Sequence, residues 1–265
     1  MTGPVTGPRV LVCAGLDPSG GAGLLADLEA LASAGARGWA VATAFTAQGA
    51  KGARAMEPAT PRMLLAQIDA LLDARSDGAR ERPLVVKTGM LGSGANAAAL
   101  SARLRERPLG RVPLVVDPVL FASSGLALLD AGAIGAGAIP ARAALDSLLA
   151  RAALSTPNWP ELEALAGRSL GSEEEAVRAA RDLPSRAVLV KGGHREGEPV
   201  DLLVRGRSVV RIRGRRRPGS ARGTGCRLAS AIAAFLARGL TLEESVRRAK
   251  RIVERYLDAE ARGGR

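Results

Sequence analysis

Arg222-Gly223-Thr224-Gly225-Cys226 stands directly before a run of small and apolar residues, Leu228 to Leu236. Two glycines let the backbone turn tightly, and the run that follows has the composition of a buried helix. A helix start leaves its first N–H groups without intrahelical partners and carries partial positive charge, so such a turn is a ready anion hole. Its late position in the chain, with a thiol one residue past the second glycine, points to a site for a transferring phosphoryl group. A glycine turn before a core helix, with a small buried cysteine, is the simpler reading of the same residues.

Upstream of this turn, short β-rich runs alternate with helix-length segments. Val10 to Ala14, Leu84 to Lys87, Leu114 to Asp117, Leu154 to Thr156 and Ala187 to Lys191 are apolar on successive residues, as strands buried on both faces are. Between them lie helix candidates: Gly23 to Ala34, Pro61 to Arg75, Asn96 to Arg107, Ala141 to Ala152 and Ser172 to Asp182. That order predicts a mostly parallel sheet covered on both faces. Asp201 to Val204 and Val209 to Arg213 read as a late hairpin. Two helices, Gly225 to Arg238 and Leu242 to Glu260, follow, the second opened by Thr241 with Glu244 three residues on. The fold class is α/β, and the whole of 1–265 reads as one unit with residues 1–8 a flexible N-terminus.

Composition removes several function classes. The chain has 265 residues, 47% of them hydrophobic, enough for one substantial core. No apolar run approaches the ~20 residues that span a bilayer, and Val10 to Leu16 leads straight into Asp17, unlike a signal peptide; a cytoplasmic location is expected. Cys13, Cys226 and the single His194 show no metal-ligand spacing, and no serine lies in a nucleophile elbow. The net charge of +12 comes mostly from arginines on helical faces with acidic neighbours. The strongest cluster, Arg211, Arg213, Arg215, Arg216 and Arg217, precedes the glycine turn, where it serves nucleotide phosphates as readily as a polynucleotide. With two Trp, one Tyr and three Phe there is little for base stacking, so no nucleic-acid partner is expected.

Ligands of such sheets sit outside the carboxyl ends of the strands. The first strand ends in Gly15-Leu16-Asp17-Pro18-Ser19-Gly20-Gly21-Ala22-Gly23, with Asp27 one helical turn further on. This is neither a Walker P-loop nor a dinucleotide fingerprint. Its glycines, Gly15 and Gly21 among them, admit a ligand to the backbone, and Asp27 can accept from a ligand hydroxyl or amine.

Together with Thr43-Ala44-Phe45-Thr46-Ala47-Gln48, Lys87-Thr88-Gly89-Met90-Leu91, Asp117-Pro118-Val119 with Ser124-Gly125, Thr156-Pro157-Asn158-Trp159-Pro160-Glu161, Lys191-Gly192-Gly193-His194 and Gly223-Thr224-Gly225-Cys226, that segment gives seven ordered motifs. In this order they resemble the hydroxymethylpyrimidine/phosphomethylpyrimidine kinases of thiamine biosynthesis, within the ribokinase-like superfamily. The resemblance implies a three-layer αβα sandwich, a homodimer, and ATP- and Mg²⁺-dependent phosphorylation of 4-amino-5-hydroxymethyl-2-methylpyrimidine and then of its monophosphate. It implies that Gln48 bonds the aminopyrimidine edge, Asp27 helps hold the substrate and Met90 packs on the ring. A carboxamide offers donor and acceptor together, and a thioether packs adaptably on an aromatic face.

On the nucleotide side, the resemblance gives Asn158 and Glu161 the task of organising Mg²⁺ and phosphates through water. Asp117 ends an apolar strand, a poor place for a carboxylate unless it serves a metal or a hydrogen-bond network, and Lys191 would balance phosphate charge. A structural ion pair between Asp117 and Lys191 is the bland alternative. Gly223, Thr224, Gly225 and Cys226 would supply the anion hole, with Cys226 as catalytic base, its thiol pKa lowered by the helix N-terminus. Three departures stand out: Arg222 where the family commonly has His, Arg227 where it has Thr, and Gly49-Ala50 where it has Asn-Thr. Arg222 could bind phosphate oxygens bidentately. Two other readings of the chain remain, a pyridoxal or pyridoxine kinase of the same fold, and a basic nucleic-acid-binding or regulatory protein on a retired kinase scaffold.

Overall fold

The structure is a computed structural model that describes residues 7–49, 52–73, 84–120, 141–193, 198–216 and 221–263. Residues 1–6, Ser124-Gly125, His194 and Arg217, which figured in the sequence reading, lie outside them. Pro8 is tied to the sheet through its carbonyl, which accepts from the Arg37 N–H at 2.9 Å.

Among the described residues, nine strands form one sheet in the order β3-β2-β1-β4-β5-β6-β7-β8-β9. β1 (Arg9–Leu16) lies beside β2 (Arg37–Gly49) and β4 (Val85–Thr88), parallel to both. β5 (Leu114–Val116), β6 (Leu154–Ser155) and β7 (Val188–Val190) continue the parallel set. β8 (Val200–Arg205) and β9 (Ser208–Arg213) form the expected antiparallel hairpin at one edge, and β3 (Gly52–Pro58) pairs antiparallel with β2 at the other. Neither β2 nor β3 was among the strands expected from the sequence.

The β1 sequence explains the three layers. Val10, Val12 and Ala14 join one core with residues of α1 (Gly23–Ser33), α7 (Thr224–Ala237) and α8 (Leu242–Gly263). Leu11 and Cys13, on the opposite face, join the core built by α2 (Pro61–Asp73), α3 (Gly94–Arg103), α4 (Ala141–Leu149), α5 (Trp159–Ala166) and α6 (Glu173–Asp182). A strand with helices on both faces must be apolar at every position, so the uninterrupted run of β1 was readable without alternation. Helix ends follow local chemistry as well. Ser93, Asn158 and Ser172 cap α3, α5 and α6 through their side chains, and Thr241 exchanges bonds with Glu244 at the start of α8.

The chain leaves β1 for β2 on one side and returns to β4 on the other. The carboxyl ends of β1 and β4 therefore flank the topological switch point where open α/β sheets bind ligands.

Candidate active site

Two fully buried charges form the floor of this crevice. Lys87, on β4, donates to both carboxylate oxygens of Asp27 at 2.8 and 2.9 Å, and Ser230 on α7 donates to the same carboxylate at 2.7 Å. Both partners have no solvent exposure. Burial alone would lower the Lys87 pKa, but the facing Asp27, with Cys226 and Asp117 beyond it, raises it above the ordinary lysine value and keeps the ammonium charged. Asp27 thus faces Lys87 and Ser230 beneath the crevice, which corrects the expectation that its carboxylate is open to a substrate hydroxyl or amine.

The nucleotide-side residues converge above this floor. Asp117, just past β5, is buried and accepts on one oxygen from Lys191 at 2.8 Å and Thr156 at 2.9 Å. Burial would raise its pKa, but Lys191 and Lys87 together hold it below the usual carboxylate range. Lys191 also lies 3.8 Å from Glu161. A Cβ on Gly225 would sit 3.0 Å from the Lys191 ammonium, so that charge rests against the first turn of α7. The ion pair of the bland reading is present, and its cation faces the anion hole.

Asn158 and Glu161 form a reciprocal capping box: the Glu161 N–H donates to the Asn158 side chain at 2.8 Å, and the Asn158 N–H to the Glu161 carboxylate at 2.7 Å. Burial, opposed by Lys191 and aided by Asp117, pushes Glu161 up to about 7. A carboxyl raised in the folded state favours folding fully at pH below the ordinary glutamate range and loses that contribution as pH rises through about 7. Glu161→Gln keeps the cap's acceptor and removes the titration. The melting temperature of the ligand-free native protein should therefore fall relative to this variant between about pH 5 and pH 8; parallel melting curves across that range would show that Glu161 does not titrate there.

Gly223 is the N-cap of α7, with φ 68°, a left-handed conformation suited to glycine. A Cβ there would collide with the Gly21 carbonyl, so the two glycine turns are in backbone contact. Thr224, Gly225 and Cys226 are the first three helical residues, and their N–H groups precede the first intrahelical bonds. Cys226 departs from expectation: burial, with the Asp27 and Asp117 carboxylates added and Lys87 opposing, pushes its thiol up to about 11. Loss of hydration and two nearby carboxylates outweigh the helix dipole, whose effect at a surface helix is small.

The expected acceptor side lies over the ends of β1, β2 and β4. Met90 packs in a small cluster with Ala44, Met56 and Val119. Any side chain at Gly15 would run into the Met90 methyl, so Gly15 makes room for Met90. Gln48, near the end of β2, is partly exposed and accepts from Thr46 at 3.2 Å. Arg222 does not stand free for phosphate. Its guanidinium donates to Asp17 at 2.7 Å, Ser19 at 3.1 Å and the Gly49 carbonyl at 2.9 Å. Two of the three departures from the family pattern, Arg222 and Gly49, therefore touch. Lys87, Asp17 and Ser230 have no role legible from the sequence alone. The signal for Lys87 was a lysine directly after the apolar run Leu84-Val85-Val86 in a strand buried throughout.

The glycine turn, the carboxylates and lysines at the strand ends and the three-layer sheet define a small-molecule phosphotransferase. The family model for phosphomethylpyrimidine kinase matches residues 17–265, and the chain belongs to that family. It is 38% identical over 258 residues to the hydroxymethylpyrimidine/phosphomethylpyrimidine kinase of Rhizobium meliloti, covering 94% of this chain and 90% of the relative. It is 40% identical over 250 residues, 92% of its length, to the thiamine biosynthesis bifunctional protein ThiED of Geobacter sulfurreducens, of which it spans 48%. Among solved structures, the phosphomethylpyrimidine kinase of Clostridium difficile superposes with a TM-score of 0.77 at 31% identity, over 95% of this chain and 100% of that one. A pyridoxal kinase of Staphylococcus aureus in complex with AMP-PCP and pyridoxal gives 0.77 at 26% identity, over 94% and 87%. Among the described residues, no helix is long and apolar enough to cross a membrane.

Proposed function

We propose that this chain transfers the γ-phosphoryl group of ATP to the hydroxymethyl oxygen of 4-amino-5-hydroxymethyl-2-methylpyrimidine, and then phosphorylates the monophosphate. The observation that carries this reading is the meeting of the Lys191 ammonium with the first turn of α7, directly beside Asp117 and over the Lys87–Asp27 pair. Such an arrangement gathers positive charge and free N–H donors where a phosphoryl group must be stabilised in transfer. The family's activity and this geometry agree.

Each group then has a task. The N–H groups of Gly223 to Cys226 receive the phosphoryl oxygens, and Lys191 neutralises their charge. Gln48 bonds the aminopyrimidine edge, Met90 packs on the ring from the room that Gly15 leaves it, and the turn at Gly21 lets the ring approach the backbone. Asp27 acts through Lys87, holding that charge under the anion hole.

Among the described residues, no three His, Cys, Asp or Glu side chains cluster as metal ligands. Mg²⁺ needs only one or two carboxylates with substrate phosphates and water. Asp117 and Glu161 fit that demand: both described bonds of Asp117 fall on one oxygen, and Glu161 is a carboxyl that a nearby cation would return to its ionised form. These two, through water and with Asn158 fixing Glu161, would hold Mg²⁺, which when bound neutralises phosphate charge.

Cys226, in the first turn of α7, would accept the acceptor's proton. With its thiol near 11, the thiolate fraction rises about tenfold per pH unit across the neutral range. Turnover of the native protein is therefore expected to climb between about pH 7 and pH 9. Cys226→Ala should lower kcat far more than it raises the pyrimidine KM, and should flatten that climb. Near-native turnover in the alanine variant would remove the base assignment. Competition between the pyrimidine and pyridoxal for one limiting amount of ATP tests the acceptor itself: the pyrimidine should win, and preferential pyridoxal phosphorylation would reassign it.

A further inference from the structure

Arg227 sits inside α7, 4% exposed, in a run where a charged residue has no place in the core. Its guanidinium donates to the carbonyls of Gly21 at 3.0 Å, Arg222 at 3.3 Å and Gly20 at 3.4 Å, and to the Glu29 carboxylate at 2.7 Å. It also stacks on Tyr256, 3.8 Å from the ring centroid, and the Tyr256 hydroxyl reaches the same Arg222 carbonyl at 3.4 Å. One buried cation thus gathers the carbonyl oxygens of both glycine turns, from segments about two hundred residues apart in the chain.

In a trans peptide the C=O and the following N–H point in opposite directions. Drawing the Arg222 carbonyl toward Arg227 therefore turns the Gly223 N–H the other way, toward the mouth of the anion hole. The Gly21 carbonyl likewise turns the following Ala22 N–H away from Arg227, whereas the Gly21 N–H is taken by the Ser19 hydroxyl at 3.3 Å. Arg222 completes the arrangement from the other side. Its backbone is held by Arg227, while its side chain ties Asp17 and Ser19 in the β1–α1 turn to Gly49, next to Gln48.

We propose that Arg227 and Arg222 are positioning residues for phosphoryl transfer. Arg227 aims the Gly223 N–H at the transferring phosphoryl group, and Arg222 fixes the acceptor-side turn in register with it. The inference rests on the phosphotransferase reading above, but not on the identity of the acceptor. It also gives the departures at Arg222, Arg227 and Gly49 one shared physical purpose: they are parts of a single clamp.

The test uses Arg227→Met, which keeps the bulk of the stem and removes the guanidinium with its carbonyl contacts and its stacking on Tyr256, alongside Glu29→Gln, which removes the ion pair but none of the carbonyl contacts. Misaligning one anion-hole donor should lower kcat about 10- to 100-fold, with both KM values within about threefold of native. Glu29→Gln should leave kcat within about twofold. Binding is read separately by calorimetry with ADP alone and with ADP plus aluminium fluoride, which mimics the phosphoryl group in transfer. Arg227→Met should lose at least about tenfold in affinity for the second and keep its affinity for the first.

Equal losses for both ligands, or kcat within twofold of native, would overturn the positioning role. Should Arg227→Met fail to fold, Arg222→Gln, at a partly exposed position, carries the same comparison, with Arg222→Lys expected to restore part of the loss. A native protein that does not phosphorylate the pyrimidine, yet shows the aluminium fluoride difference, would sink the acceptor assignment and leave the clamp standing.

Discussion

Replacing Asp27 by alanine is expected to destabilise the fold by about 3–5 kcal/mol, the usual cost of stranding one partner of a buried ion pair. For a chain of this size that is a fall in melting temperature of roughly 10 °C. Lys87 would be left wholly buried, without its two bonds to a carboxylate and in a strand with no route to water. The double variant Asp27→Leu with Lys87→Met removes both charges and should recover much of the loss, because two apolar side chains need no compensation. It should not recover turnover, since the positive charge beneath the anion hole is gone. Thermal melts of Asp27→Leu, Lys87→Met and the double variant complete the cycle. A double variant as unstable as Asp27→Ala would mean that packing around α7, rather than the unpaired charge, sets the cost.

Gly223→Ala carries the largest expected catalytic effect. A side chain at φ 68° is strained, and this one also meets the Gly21 carbonyl and crowds the Arg227 guanidinium. The first turn of α7 must shift, and its N–H donors shift with it. A loss of about 10²–10³-fold in kcat follows if one donor is displaced. Gly239→Ala separates strain from collision, because Gly239 has φ 82° but open space around its Cβ direction. That variant should cost about 1–2 kcal/mol of stability and leave kcat near native. Equal kinetics in the two glycine variants would show that the anion-hole turn is not where transfer is stabilised.

The parts of the fold legible in the sequence were those where one physical demand dominates. β1 is apolar throughout because helices cover both its faces, and the β8–β9 hairpin and the cap of α8 declare themselves through local chemistry. β2 was not legible. Its Ala and Gly dilute the strand-favouring Trp39, Val41, Thr43, Phe45 and Thr46, and its far half, from Ala44 to Gly49, pairs with β3, with only Phe45 still opposite β1.

The site divides in the same way. Glycine turns, Asp117 and Lys191 stood at strand ends, where the topology alone marks them. Asp27 was visible as a carboxylate, but its partner Lys87 lies 60 residues on, and only the tertiary structure shows that the two close on each other. The Cys226 thiol was expected to be acidified by its helix, an inference from local structure, whereas burial and two carboxylates brought from other elements decide it. Arg227 was noted only as a departure from the family pattern, for nothing local tells a clamp from a surface charge.

The most direct test of the account is incubation of the protein with ATP, Mg²⁺ and 4-amino-5-hydroxymethyl-2-methylpyrimidine, with products resolved by mass. The monophosphate should appear first and the diphosphate after it, both forming about 10²–10³-fold more slowly in Gly223→Ala. No phosphorylated pyrimidine from a folded protein, with the monophosphate inert as well, would contradict it.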